Sequence, residues 1–287
     1  MKLTFLGTGT SQGVPIISCK CKVCRSLSKK NKRFRSSVYV QTNDKKYILV
    51  DIGPEFRLQA IKYKVNQIDA LLLTHSHADH LHGIDDLRSY SCDCFKRTAT
   101  NSDLFDAPPI PVYTNEKTIK DVQNRFGYFF VHPKEGGGHA KVSLNIADKP
   151  FFIGETQITP IPMMHGKLPT LGWVFTSTSS NNQKESIVYL TDCSFISDES
   201  INLILSTSGN IKHLVIDGLR IKKHSTHFSF LEAMETAAKL NPHQVWITHL
   251  THHHSHLETS KYLNKHKNTV GLKCKIAPAY DGLILKI

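Results

Sequence analysis

Residues 71–85, LLLTHSHADHLHGID, run an apolar segment straight into four histidines and Asp79. Residues 70–73 are all apolar and read as a buried strand. On an extended segment residues two apart face the same way, so His75 and His77 can share one cation. Where the chain then turns into a helix, Asp79 and His80 point to a second position beside the first. The pattern H-x-H-x-D-H is therefore a way to hold two cations side by side, and imidazole with carboxylate suits Zn, Mn or Fe without choosing among them. A lone histidine in such a turn would be an ordinary solvated residue; an ordered set after a hydrophobic strand points to metal. Two metals need further ligands at other strand ends. Three residues stand just past apolar runs as His75 does: His165 after ITPIPMM, Asp192 after SIVYLT and His249 after QVWIT.

Working outward, short apolar and β-branched runs predict strands at LTFLG from Leu3, SVYVQT from Ser37, KYILVDIG from Lys46 and DALLLTH from Asp69. Further strands are expected near Val112, Phe129, Ile158, Trp173, Val188, Val215 and Trp246, and in the C-terminal GLILKI. Helices are expected over residues 54–64, 79–90, 116–126, 198–206, 229–240 and 257–266. Strands dominate early and helices are interspersed later, which favours two sheets sandwiched between helices over a regular parallel βαβ series. The poorly patterned residues 92–109 read as a loop or small insertion rather than a linker, so 1–287 is expected to form one domain.

The 287 residues are 40% hydrophobic and 21% charged, a globular composition able to bury a core. Strand-like sequence begins at Lys2, which leaves no room for a secretory leader, and no apolar run approaches the ~20 residues that span a bilayer. The expected compartment is the cytoplasm, with no membrane partner. The formal charge of +12 suits an anionic partner, a phosphate ester or nucleic acid, or else reflects lysines spread over solvated faces. Its densest block, from Lys20 to Arg35, lacks the interleaved aromatics of a single-strand groove. Seven cysteines are an odd number, and Cys19, Cys21 and Cys24 in CKCKVC are too close for a disulfide framework. Three thiolates point to a tetrahedral zinc that takes its fourth ligand from elsewhere. Cys92 and Cys94 have no third partner beside them and read as loop residues, while Cys193 is expected to pack against the site.

The chain resembles the metallo-β-lactamase-fold hydrolases. The resemblance is carried by LGTGTSQGVP at Leu6, DIGP at Asp51, the H-x-H-x-D-H segment, MMHGKLPTLGW at Met163, YLTDCS at Tyr189, ITHLTHH at Ile247 and AYDGLILKI at Ala279. Within that superfamily it is most similar to the branch containing phosphoribosyl 1,2-cyclic phosphate phosphodiesterases. The resemblance implies a four-layer αββα sandwich and two divalent ions, Mn or Zn. It implies that His75, His77 and His165 hold one metal and Asp79, His80 and His249 the other, with Asp192 bridging and Asp51 bracing the histidine loop from behind. It also implies His252 as the fourth ligand of a structural zinc with Cys19, Cys21 and Cys24; His256 is the second choice.

Two adjacent cations lower the pKa of a shared water and stabilise charge on the attacked centre, which fits hydrolysis of a small phosphodiester, cyclic or open, by a hydroxide lying between them. The leaving alkoxide still needs a proton. KKHSTHFSFLEA places His224 and His227 just before a helix start, where phosphate is favoured and a histidine can donate. By motif His227 matches the branch's catalytic histidine. Asp79 is counted with it as catalytic as well as a ligand, and His224, Ser225, Thr226 and Lys222 are weaker candidates for phosphate contact. Gly7, Gly9 and Gly13 are followed by no Walker lysine and read as a tight turn. The alternative is a tRNA 3′-processing type of endoribonuclease on the same fold. Many of those carry a long arm between the residues matching His165 and Asp192, whereas residues 166–191 read as a plain hairpin, so a nucleic-acid substrate is not favoured. A metal-dependent binding module is a third reading, and whether the chain pairs as a homodimer stays open.

Overall fold

The runs of alternating and continuous hydrophobicity become two sheets in the computed structural model, which describes residues 1–91, 108–131, 139–178 and 182–287. The first sheet contains β1 (Lys2–Gly7), β2 (Ser37–Gln41), β3 (Tyr47–Val50), β4 (Ala70–Leu72), β5 (Ile110–Thr114) and β6 (Val142–Ile146), and the second begins with β7 (Phe151–Ile153). The second continues through β8 (Thr156–His165), β9 (Leu168–Thr178), β10 (Lys184–Leu190), β11 (Asn210–Asp217), β12 (Gln244–Thr248) and β13 (Lys275–Pro278), while β14 (Ile284–Lys286) returns to the first. The strand orders are β14-β1-β2-β3-β4-β5-β6 and β13-β12-β11-β10-β9-β8-β7. In each sheet an antiparallel half adjoins a parallel one: β3 to β6 are parallel, as are β10 to β13.

Three apolar layers hold this arrangement. Leu3, Val38, Val50, Leu72, Trp173, Tyr189 and Val215 meet between the sheets. Leu49, Leu71, Leu73 and Val112 face outward from the first sheet and are covered by Phe56 of α1 (Phe56–Tyr63) and Val122 of α3 (Glu116–Arg125). On the far side of the second sheet, Val188, Leu214 and Ile247 lie under α4 (Asp198–Ser208), α5 (Phe230–Leu240) and α6 (His256–His266). The order helix, sheet, sheet, helix is the expected αββα sandwich. Ser229 and Ser255 start α5 and α6 through capping boxes with Glu232 and Glu258.

Some elements differ from the sequence expectation. The aromatic run at Phe129 is a single 3-10 turn, Gly127–Phe130, not a strand; Phe126 and Phe129 stack at 5.6 Å over the outer core, a helical spacing that burial imposed on residues of high β-propensity. The helix expected over 79–90 is broken into α2 (Ala78–Leu81) and a 3-10 segment, Ile84–Ser89. Gly83 separates them because its backbone rests on the turn after β3: a Cβ there would stand 2.1 Å from the Gly53 carbonyl oxygen. Gly53 is equally confined, with the Asp79 carbonyl oxygen 2.4 Å from where its Cβ would be. Strands β6, β7 and β13 have no counterpart among the strands that the sequence pattern marks. The residues expected to form the 92–109 loop lie outside the described residues except for 108 and 109, as do Cys92 and Cys94. No helix among the described residues is long and apolar enough to cross a membrane.

Candidate metal centre and its neighbours

Every residue singled out beside the apolar runs lies at the same end of the sandwich. His75 follows β4, His165 ends β8, Asp192 follows β10 and His249 follows β12. Parallel strands bring their C-terminal ends to one edge, where loops can converge. Asp192 and His249 have φ of +55° and +59°, and Asp51 after β3 has +59°. Non-glycine residues rarely adopt this left-handed backbone, and here it turns each chain sharply so that the side chain enters the edge.

Donor atoms gather in two adjoining groups: His75, His77 and His165, then Asp79, His80, Asp192 and His249, within 4.8 Å of one another in each. Between the groups the rings of His75 and His80 lie 4.4 Å apart. Asp192 reaches both histidines of its group, with Oδ2 3.1 Å from His80 Nε2 and Oδ1 3.2 Å from His249 Nε2. All of these residues are buried except His77.

Hydrogen bonds fix which ring nitrogen faces the cluster. His80 Nδ1 is 2.7 Å from Asp51 Oδ2, and His165 Nδ1 is 2.5 Å from the Thr226 carbonyl oxygen. Asp51 Oδ1 also accepts from the Thr74 backbone N–H at 2.8 Å. The turn carrying Asp51 is itself tied to the histidine loop, since Ile52 N–H donates to the His80 carbonyl at 2.7 Å. From the other side, α3 supports the loop: Ser76 Oγ donates to Asp121 at 2.5 Å and Arg125 donates to the Ser76 carbonyl.

Several inward-facing nitrogens have no such bond. Nε2 of His75 and Nδ1 of His249 are buried without a hydrogen-bond partner, a costly state for polar atoms, and Nε2 of His80 and of His249 meet Asp192 only as close ion-pair contacts without hydrogen-bond geometry. Burial holds His75 and His165 below the usual histidine range and lowers His249 to about 4, so all three present lone pairs at neutral pH. Burial opposes charge on Asp192, yet His249 and His80 outweigh it and keep the carboxylate ionised far into acid. Burial likewise opposes a proton on His80, but Asp192, Asp79 and Asp51 attract positive charge strongly enough to raise it well above the usual value. The neutral imidazoles of His75, His165 and His249, the ionised Asp192 and the carboxylates drawn to His80 fit divalent cations, which would take the place of the His80 proton.

His227 stands at the rim, its ring 4.4 Å from His165 and 4.6 Å from His249. Its Nδ1 lies 2.7 Å from Oδ2 of Asp217, which also accepts from Cys193 N–H at 3.0 Å. Burial disfavours the imidazolium, but Asp217 more than compensates and raises His227 to about 9. Asp217 is absent from the sequence candidates, although LVIDG repeats the apolar-run-then-aspartate signal of ILVDIG and VYLTDCS. The weaker candidates are less close. His224 and Ser225 are exposed, and Thr226 contributes its carbonyl to His165. Lys222 is exposed as well. Cys193 is buried, and burial pushes its thiol well up.

The cysteine loop forms a second cluster. Sγ atoms of Cys19, Cys21 and Cys24 lie 3.3, 3.5 and 3.4 Å from His252 Nδ1. Zinc bond lengths in a tetrahedron put S and N about 3.5 Å apart, so the donor set fits one zinc. Cys24 N–H donates to Cys21 Sγ, the main reason that thiol falls to about 6, whereas burial pushes Cys24 up to about 11. His256 lies elsewhere, with Nδ1 3.3 Å from the Arg33 guanidinium, so the second choice of ligand is corrected.

Residues 46–250 match the family described as the beta-lactamase superfamily domain. The chain belongs to this superfamily. A crystal structure described as a new diphosphatase from the PhnP family is 33% identical to it, covers 100% of this chain and 97% of its own, and superposes with a TM-score of 0.80. This beta-lactamase-superfamily chain is thus also of the PhnP branch. An octanoyltransferase of Porphyromonas gingivalis is 34% identical over 287 residues, 99% of this chain and 51% of that protein. An exodeoxyribonuclease of Bacillus anthracis is 25% identical over 173 residues, 58% of this chain and 53% of that protein. The chain therefore spans about half the length of these curated relatives.

Proposed function

We propose that the chain is a dinuclear metal-dependent phosphodiesterase acting on a small phosphate ester, and that residues 1–287 work as one hydrolase domain. The observation that carries this reading is the pairing of two adjoining donor groups with a separate, carboxylate-supported histidine at their rim. His75, His77 and His165 hold one cation through ring nitrogens; Asp79, His80 and His249 hold the other; Asp192 lies between them. Two such cations, Mn or Zn, supply an activated water and neutralise charge on the phosphate when bound. Cys19, Cys21, Cys24 and His252 hold a structural zinc, closed to substrate because its donors fill four positions.

The protein's own groups do the rest. Asp51 fixes the tautomer of His80 so that Nε2 points inward, and the Thr226 carbonyl does the same for His165. Asp217 holds the Nδ1 proton of His227, leaving Nε2–H to protonate the departing oxygen. Asp79 is catalytic through the cation it holds. A phosphodiesterase needs such a proton donor, because alkoxides leave poorly without one. The PhnP-family diphosphatase supports cleavage at phosphorus, and the exodeoxyribonuclease keeps nucleic acid among the substrates to be tried.

The test is hydrolysis, with added Mn, of an aryl phosphodiester, a five-membered cyclic ribose phosphate, a diphosphate diester and a precursor tRNA, by wild type and His227→Ala. Turnover of the small esters is the expected result, with a large loss in the variant where an alkoxide leaves and a much smaller one on the aryl ester. Efficient cleavage of the tRNA alone would replace this reading with the nuclease, and turnover untouched by Asp79→Ala or His80→Ala would refute the ligand assignment.

A further inference from the structure

The excess of 36 Lys and Arg over 24 Asp and Glu has no place at the metal centre. Part of it gathers at the opposite end of the second sheet. There a concave basin of about 650 Å³ is lined by Glu185, Lys212, Lys273, Lys275 and Lys286, with His213 in its wall. Lys212 lies near the start of β11 and Lys275 begins β13, so these strands, parallel to the β10 and β12 that lead to Asp192 and His249, bring their lysine-bearing ends to the opposite edge. At about 3.3 Å per residue, Gln244 in the basin and His249 at the metal edge are roughly 17 Å apart. The basin is a separate place.

Its charge is only partly balanced from within, four lysines facing Glu185 and the Ile287 terminus. Glu185 is paired with Lys212 at 3.0 Å, and the Ile287 carbonyl oxygen at the rim accepts from the Met1 ammonium at 2.7 Å. Among the described residues Lys273, Lys275 and Lys286 make no ion pair. Lys286 also stands directly across from Lys2 in the β14–β1 ladder, and like charges so placed destabilise a sheet. His213 is occupied, its Nδ1 accepting from Trp246 Nε1 and its Nε2 donating to the Lys286 carbonyl, both at 3.3 Å. That pair of bonds anchors the strand that carries Lys286.

We propose that this basin is a second anion site that takes linked phosphates, two or more in one chain. Several ammonium groups around one hollow, with no arginine fork, suit the spread charge of a phosphate chain better than a single planar carboxylate. The linked phosphates come either from a free nucleoside diphosphate or from a nucleic-acid backbone. Nothing in this proposal depends on the reaction at the metal centre.

Fluorescence anisotropy at several salt concentrations tests it, with labelled ADP and a labelled 12-nucleotide single strand as probes. The metal-loaded wild type is compared with Lys273→Gln/Lys275→Gln/Lys286→Gln and with Glu185→Gln. The triple variant is expected to bind at least tenfold more weakly, and for the single strand the log–log salt slope should be shallower by about 0.7 for each phosphate that the missing ammonium groups would have neutralised. Glu185→Gln, which removes an opposing charge, is expected to bind more tightly. Hydrolysis of a small aryl phosphodiester should be unchanged in both variants, which also reports that they fold. Weakening for the strand alone assigns the basin to a nucleic-acid backbone, and weakening for ADP as well assigns it to a free diphosphate; both support the site. Equal affinities of wild type and triple variant for both probes would overturn it.

Discussion

As the proposed proton donor, His227 works only while it carries a proton, and Asp217 favours the protonated ring. With the carboxylate 2.7 Å from Nδ1, His227 is raised to about 9; divalent cations in the proposed sites would repel the imidazolium and bring the value down. A general acid is active below its pKa, so turnover falls as pH rises through that value. Asp217→Asn removes the charge that raises it, and the alkaline limb of the kcat/KM profile moves to lower pH. His227→Ala loses about 10²–10⁴-fold for alkyl esters and far less for an aryl leaving group, which departs without a proton. Parallel pH profiles on the two ester types check both expectations, and an equal loss on both would deny His227 the donor role. The sequence revealed His227 through its position before a helix, but it did not reveal Asp217. LVIDG reads as any strand end, and only the parallel register that sets Asp217 beside Thr248 brings its carboxylate under the imidazole.

At the scale of elements, the histidine loop is a short segment clamped from two sides. The turn after β3 reaches it through Asp51 and the close approach of Gly53 and Gly83, and α3 reaches it through Asp121 and Arg125. The first contact was legible in VDIGP; the second was not, because Asp121 and Arg125 look like ordinary solvated helix charges until α3 is placed over the loop. Asp51→Ala strands His80 Nδ1 and the Thr74 N–H and is expected to weaken metal binding about 10–100-fold. Competition against a chromogenic chelator measures this, and unchanged affinity would deny Asp51 its bracing role. The cysteine loop is a separate clamp, joining the exit of β1 to the segment after β12. Cys24→Ser should therefore lower the bound-metal count by one in atomic emission and quicken proteolysis within residues 13–32. The catalytic cations should stay bound. Most elements with strong patterns were readable in advance; β6, VSLNI, alternates apolar with polar residues and was legible but not marked, β7 is only three residues long, and the 3-10 turn at Phe129 carries a strand's composition.

Across the whole molecule, residues far apart in sequence close the sandwich through one buried polar knot. Arg33 donates to Thr8 Oγ1 and the Ala279 carbonyl, each at 2.7 Å, and its other terminal nitrogen lies 3.3 Å from His256 Nδ1 at the start of α6. Asp281 accepts from Thr8 Oγ1 and from Phe34 N–H, each at 2.7 Å. Two groups in the knot titrate in overlapping windows with opposite consequences for stability. Burial, then Arg33 and Lys30, lower His256 to about 4. Between about 4 and 6.5 the unfolded chain binds this proton and the folded one does not, so the His256 contribution rises with pH and is lost on acidification. Burial raises Asp281 to about 6. Between about 4 and 6 the folded state holds the extra proton, so the Asp281 contribution falls as pH rises. The two slopes oppose each other and largely mask one another in the wild type. Replacing His256 by Gln, which keeps a polar side chain without the titration, should expose the Asp281 slope. Urea midpoints of wild type and His256→Gln, taken from pH 4 to 7 with the metals bound, check this by difference. The wild type should gain stability relative to the variant as pH rises to about 6.5 and then run parallel to it. A pH-independent difference would mean that His256 is not held neutral by the knot.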